Sequence, residues 1–314
     1  MTVRYALLHE IPGQARARLR LHGADTRRFL QGTVTADLEA LRPGEALAAG
    51  LCTVKGKLVT DLVLLPEGDD EVHVLVPTDR AGAVTEHFDR HIIMDEVEVE
   101  ALGPVGLAVA WDPETNEPPA LRQTPGVQAF ATRHPAPGRL LVGVPQAVQG
   151  VLAGYEAVDA EGWAARRIAT ASPAWGHELR EGFFAPEVGF VYAVSYDKGC
   201  FLGQEPLARI HARGQVNRVM VRVRASAVPA EATPQGVALA AEERQDAGRL
   251  TTWAPAEGGV DGLAVVRRAV AEPGTRLRTT DEPAIEVEVT SGPLGDDPGV
   301  AGRHPRSDTP GKSG

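Results

Sequence analysis

The sequence predicts an α+β fold in which mixed strand and helix modules precede a small antiparallel β-barrel. Three observations carry this. Apolar runs alternate with turn-rich breaks over the first hundred residues, helical segments interrupt strands as far as Gly214, and beyond Gly214 only strand patterns remain. At 314 residues, with 43% hydrophobic and 24% charged side chains, the chain is long enough for two or three cores of ordinary globular composition.

In residues 1 to about 105, Leu62-Val63-Leu64-Leu65 and Val72-His73-Val74-Leu75-Val76 read as strands separated by Pro66-Glu67-Gly68-Asp69-Asp70. A helix is expected from roughly Thr78 to Ile92, with Asp79 and Arg80 near its start. Asp112 to Pro119 reads as a loop. After it, Leu140 to Val144 reads as a strand and Glu161 to Ile168 as part of a helix. Gln204 to Arg213 is the next helix, with Pro206 tolerated in its first turn and Gly214 as a left-handed stop. On it Glu205 and Arg209 are i,i+4 neighbours, while Leu207 and Ile210 are available to a core. Val219 to Val223, Gly262 to Arg268 and Ile285 to Val289 then supply barrel strands. The last 24 residues, Ser291 to Gly314, hold six glycines and four prolines, so a flexible tail is expected there.

Several function classes lose support. No apolar stretch approaches a membrane span and Met1-Thr2-Val3-Arg4-Tyr5 lacks signal-peptide features, so a cytoplasmic protein is expected, without membrane contact. Cys52 and Cys200, with 147 residues between them, form neither a disulfide framework nor a Cys-x-x-Cys pair. Two thiols cannot fill an ordinary four-cysteine iron–sulfur ligand set, which argues against a stable cluster carrier. With 42 acidic against 32 basic residues, no direct nucleic-acid binding is expected, although a local basic patch can still serve one anion. Dinucleotide, Walker and nucleophile-elbow fingerprints are all absent. His87 and His91 share a helix face without the glutamate placement of a zinc protease motif, and no metal site is predicted.

The chemistry concentrates in Lys198-Gly199-Cys200-Phe201-Leu202-Gly203-Gln204-Glu205. A thiol beside an ammonium and close to a helix start has its thiolate favoured, which gives Cys200 a route to nucleophilic or redox behaviour. Cys52 has a weaker version of this setting, with Lys55 and Lys57 nearby. The ordinary alternative is an inert cysteine in a glycine-punctuated turn. His211 reads either as a base near Cys200 or as a surface histidine. From Lys198 to Arg224 the formal charge is +5 inside a chain of net −10, which suggests an anionic ligand or a solvated arginine face. Asp61 is the best carboxylate candidate, placed after Gly56-Lys57 and before an apolar run.

These residues carry a resemblance. The Lys198 to Glu205 motif, followed by Ala208-Arg209 and Arg213-Gly214, resembles the signature of the YgfZ-type folate-binding proteins, relatives of the glycine-cleavage T protein (aminomethyltransferase). Ordered similarity extends through Phe29-Leu30-Gln31-Gly32-Thr33, Gly56-Lys57-Leu58-Val59-Thr60-Asp61, Trp175-Gly176-His177-Glu178-Leu179 and Ala247-Gly248-Arg249. The resemblance implies two interwoven α/β domains over 1–214, with an excursion at about 45–105, sharing a folate channel. A barrel at 215–290 and a tail at 291–314 complete it. It implies tetrahydrofolate or a derivative as cofactor, held by Asp61, Gln204, Glu205 and Arg209, with Cys200, Lys198 and Asp61 at the chemistry. It further implies a role in assembly or repair of iron–sulfur enzymes, with client enzymes or assembly factors as partners. Ala169 stands where the aminomethyltransferase branch commonly has an acid, which weakens the rival reading of a one-carbon transferase. A noncatalytic adaptor with a regulatory folate site is the third reading.

Overall fold

The computed structural model describes residues 3–214, 216–229 and 236–295. In chain order the elements are β1 (Arg4–Leu7), β2 (Arg16–His22), α1 (Thr26–Thr33), β3 (Leu47–Cys52), β4 (Leu58–Pro66), β5 (Glu71–Pro77), α2 (Ala81–His91), β6 (Glu98–Pro104) and β7 (Gly106–Trp111). β8 (Val127–Thr132), β9 (Gly138–Gly143), α3 (Pro145–Leu152), β10 (Glu156–Val158), α4 (Ala160–Thr170) and α5 (Gln204–Arg213) follow. The barrel strands are β11 (Arg218–Ala225), β12 (Val237–Ala241), β13 (Arg244–Ala256), β14 (Gly259–Arg267), β15 (Arg276–Thr279) and β16 (Glu286–Val289).

Two five-stranded sheets, β3-β4-β5-β2-β6 and β10-β1-β7-β9-β8, precede a closed barrel ordered β11-β14-β13-β12-β15-β16. The chain begins in the second sheet with β1, builds the whole first sheet from β2 to β6, and returns at β7. The excursion therefore starts at Arg16, earlier than the residue 45 expected. The reason lies in β2, Arg-Ala-Arg-Leu-Arg-Leu-His, whose arginines disguise a buried strand.

Strand periodicity explains the layering. In β4, Leu62 and Leu64 face α1 and α2 in one core, while Val63 and Leu65 face the second sheet in another. β7 repeats the pattern, with Leu107, Val109 and Trp111 turned to the first sheet and Ala108 and Ala110 packed with Val148, Val151 and Leu152 of α3. The unbroken apolar runs are thus strands buried on both faces. The barrel has its own core, built from Val219, Val221, Leu239, Leu250, Val266 and Val287 among others. Ile168 of α4 meets Met220, Ala254 and Leu263 on the barrel's outside.

Helix α5 has the bounds predicted for it and ends on Gly214 in the left-handed region. Part of the predicted tail is anchored: Ser291 Oγ accepts a hydrogen bond from Arg222 N at 2.9 Å, and Leu294 N donates to Met220 O at 2.8 Å. The rest, from residue 296, lies outside the described residues. No described helix is long and apolar enough to cross a membrane.

Candidate functional site

Asp61 lies in the middle of β4 on the face turned toward the second sheet. Arg16, at the start of β2, points the same way because Ala17, Leu19 and Leu21 take the opposite face. Arg16 Nη2 donates to Asp61 Oδ2 at 2.6 Å, and both side chains are buried. From the β8–β9 connection His134 brings Nε2 to within 2.7 Å of the same oxygen, and its Nδ1 lies 3.0 Å from the Tyr192 hydroxyl. Phe190 and Tyr192 wall the imidazole, with ring centroids 5.0 and 6.2 Å away.

The protonation states follow from the surroundings. Burial would raise the Asp61 carboxyl, but the Arg16 charge and the His134 contact outweigh it and hold the acid well below the carboxylate range. Burial lowers His134 despite Asp61, leaving a neutral ring. Burial also raises the Tyr192 phenol, which stays protonated. A neutral imidazole beside a carboxylate donates from Nε2, so Nδ1 accepts from Tyr192. The result is a directed chain, Tyr192 to His134 to Asp61. Asp61 Oδ1 and Arg16 Nη1 are buried with no partner among the described residues, leaving one acceptor and one donor on the two paired side chains.

A second buried pair adjoins this one. Arg167 of α4 donates to Glu178 Oε2, and Glu178 Oε1 accepts from Thr251 and Thr252 of β13 at 2.6 and 2.7 Å. Arg167 also depresses His134, and it lines a cavity of about 210 Å³ walled by Ile11, Pro12, Trp163 and Trp253, with Gln14 and His177 as polar groups. This cleft sits where α4, the turn before β2 and the barrel meet.

The cysteine motif is elsewhere and is built differently. Cys200 is exposed, whereas Cys52 is buried, its thiol pushed up to about 12 by loss of water. Lys198 does not serve the thiol. Its Nζ donates to the carbonyls of Gln31, Val34 and Ala36 at 2.6, 2.7 and 2.6 Å, which uses all three ammonium hydrogens around the end of α1. Arg209 pairs with Glu205 at 2.7 Å, both side chains exposed. Gln204 is half-buried at the start of α5. His211 stacks on Tyr196 with centroids 4.1 Å apart. Asp61 bonds to Arg16 and His134, with no bond to the motif residues among those described. Sequence reading found Asp61 but missed Arg16, His134, Tyr192 and the Arg167–Glu178 pair, because no short motif links residues so far apart in the chain.

No protein-family model matches the chain. Among curated proteins, it is 27% identical over 281 residues to the tRNA-modifying protein YgfZ of Escherichia coli O127:H6, covering 83% of this chain and 85% of that one. The protein of the same name from Shigella boydii serotype 4 is 27% identical over 282 residues, with the same coverage. Among solved structures, the glycine cleavage system aminomethyltransferase T from Bartonella henselae superposes with a TM-score of 0.75 at 14% identity, covering 92% of this chain and 85% of that one. That likeness is one of fold.

Proposed function

The chain is a relative of the YgfZ proteins built on the aminomethyltransferase fold, and from that premise we propose that it binds a reduced folate and supports iron–sulfur enzymes. The observation that carries the folate half is that the paired Asp61 and Arg16 side chains keep a buried acceptor, Oδ1, and a buried donor, Nη1, with no partner among the described residues. A reduced pterin edge presents ring N–H donors beside a carbonyl acceptor, so the pair suits it chemically. The cavity lined by Arg167, whose charge also acts on His134, adds tryptophan walls of the kind that take a flat ring. When bound, the folate would supply one-carbon or redox chemistry. The protein's part is to hold one edge of the ring, keep His134 neutral and exclude water.

The support role rests on the resemblance of the cysteine motif and on the relatives' name, which attaches them to tRNA modification. Enzymes of that pathway class are the clients we infer, with Cys200 as the accessible thiol toward them. One observation favours the rival, a one-carbon transferase: Asp61 is buried and ionised. Against it, Ala169 puts no acid at the end of α4, where only its carbonyl is engaged, by Arg222.

Calorimetric titration with tetrahydrofolate is expected to show saturable micromolar binding, weakened about tenfold (~1.4 kcal/mol) or more by Asp61→Asn. Cys200→Ser is expected to leave that affinity intact while client-enzyme activity falls in cells. Neither heat nor thermal shift far above micromolar folate would end the folate reading. Product formation from folate and a one-carbon donor would establish the transferase instead.

A further inference from the structure

The barrel carries a second polar feature, remote in kind from the Asp61 cluster. Where β11 begins and β14 ends, the strand register sets Arg218 directly opposite Arg267. Like charges in that relation repel and need a counter-charge. Asp246 on β13 supplies it: its carboxylate takes a hydrogen bond from Arg267 and is held below its ordinary range first by that bond, with Arg218 and Arg244 also acting on it. One carboxylate thus answers three guanidiniums, and the strand ends keep a positive excess. Arg268 adds a fourth cation, positioned by its Nε donating to Val216 O at 3.1 Å.

Three of these cations, Arg244, Arg267 and Arg268, line a cleft of about 550 Å³ together with Val216, Asn217 and Ala269, with no acid among the lining residues. Asp246, which pairs with Arg267, is exposed, as are Glu242 and Glu243 in the adjoining turn. Arg267 Nε is buried with no partner among the described residues, and Arg244 is exposed. Guanidiniums approaching from the start of β13 and the end of β14 suit a group with oxygens on every side, which is a phosphate more than a planar carboxylate. A net charge of −10 repels long polyanions, whereas a concave local excess retains a compact one.

We propose that this end of the barrel is a phosphoryl-oxyanion site for a compact ligand such as a diphosphate group. The test is calorimetry with inorganic pyrophosphate at ionic strength held constant with sodium chloride. One-to-one binding with a submillimolar Kd is expected, weakened at least tenfold in Arg244→Glu and severalfold in Arg244→Gln. Arg90→Glu, on exposed α2, makes the same change in net charge and is expected to bind as the parent does. Both glutamate variants must melt as the parent does, since both positions are exposed. Displacement of pyrophosphate by a nucleoside diphosphate supports a free nucleotide as the source. Displacement only by a 5′-phosphorylated RNA oligonucleotide, and not by its dephosphorylated form, supports an RNA end. Heat reproduced by sodium chloride alone, or equal losses in Arg244→Glu and Arg90→Glu, overturns the proposal.

Discussion

At Asp61 a full negative charge sits inside a strand, a placement that costs several kcal/mol unless paired (~3–5 when a partner is removed). Arg16 and His134 provide that pairing, and their protonation sets a pH dependence. His134, His73 and His177 all titrate below their ordinary value, chiefly through burial, and His87 is brought to about 4. The unfolded chain therefore binds more protons than the folded one below about pH 6.5, and stability is lost as pH falls from there toward 4. Asp61 adds to this only at lower pH, below its unfolded value of about 3.9. Urea unfolding at pH 7.5, 6 and 5 is expected to show the decline, with a shallower slope in His134→Gln; a flat profile would mean these rings take up protons without unfolding. Lys198 makes a different case. Burial lowers its ammonium to about 8, so it remains mostly charged at neutral pH and continues to donate to its three carbonyls. Lys198→Met is expected to cost about 2 kcal/mol or more by leaving those carbonyls undonated, with no change in Cys200 alkylation rate. Slower alkylation would restore Lys198 as the thiol's partner. In sequence the lysine's nearness to Cys200 was visible, but the carbonyls it reaches, more than 160 residues away, were not.

At the scale of elements, the two glycine motifs prove to be halves of one contact. Gly203 enters α5 with φ of 82°, and Gly56 turns β3 into β4 with φ of 70°. A Cβ on Gly203 would stand 2.5 Å from Thr53 O and 2.9 Å from Gly56 Cα, and one on Gly56 would stand 2.9 Å from Gly203 O. Neither residue can carry a side chain without moving backbone. Gly203→Ala is expected to destabilise by about 2–4 kcal/mol, combining left-handed strain with overpacking, and calorimetric melting measures it. An unchanged Tm would show that the loop yields. Each glycine was legible as a turn residue, yet their meeting was not. β2 fails for another reason. Its arginines take one face, with Arg16 buried and Arg18 reaching Gln128 of the other sheet at 2.7 Å and Glu67 after β4 at 3.1 Å, so a strand that covers its cations resembles an exposed one in sequence. Helix α5 was readable to the residue because both of its end signals are local.

Across the whole molecule, the barrel was foreseeable because the sequence carries only strand patterns after Gly214, whereas the weaving of the two sheets was not. β1 pairs with β7 and β10, about 100 and 150 residues on, and no periodicity records such partners. The Arg167–Glu178 pair is one of the contacts that join the barrel to the interwoven sheets, beside Val265 packed with Phe190 and Leu207 and Arg222 donating to the carbonyls of Ile168 and Ala169. Glu178 would be raised by burial, but Arg167, His177 and the two threonines hold it ionised, and its oxygens join α4 to β13. Glu178→Ala leaves Arg167 charged and buried, with Thr251 and Thr252 deprived of an acceptor, for an expected loss of about 3–5 kcal/mol. Because the barrel retains its own core, the loss should fall on its docking before its folding. Limited proteolysis of the variant is expected to cut between α5 and β11 and release a barrel fragment, with Glu178→Gln cut more slowly because the amide still accepts from the threonines. If Glu178→Ala resists cleavage as the parent does, the apolar contacts of Ile168 with Met220, Ala254 and Leu263 and of Val265 with Phe190 and Leu207 hold the barrel without the ion pair.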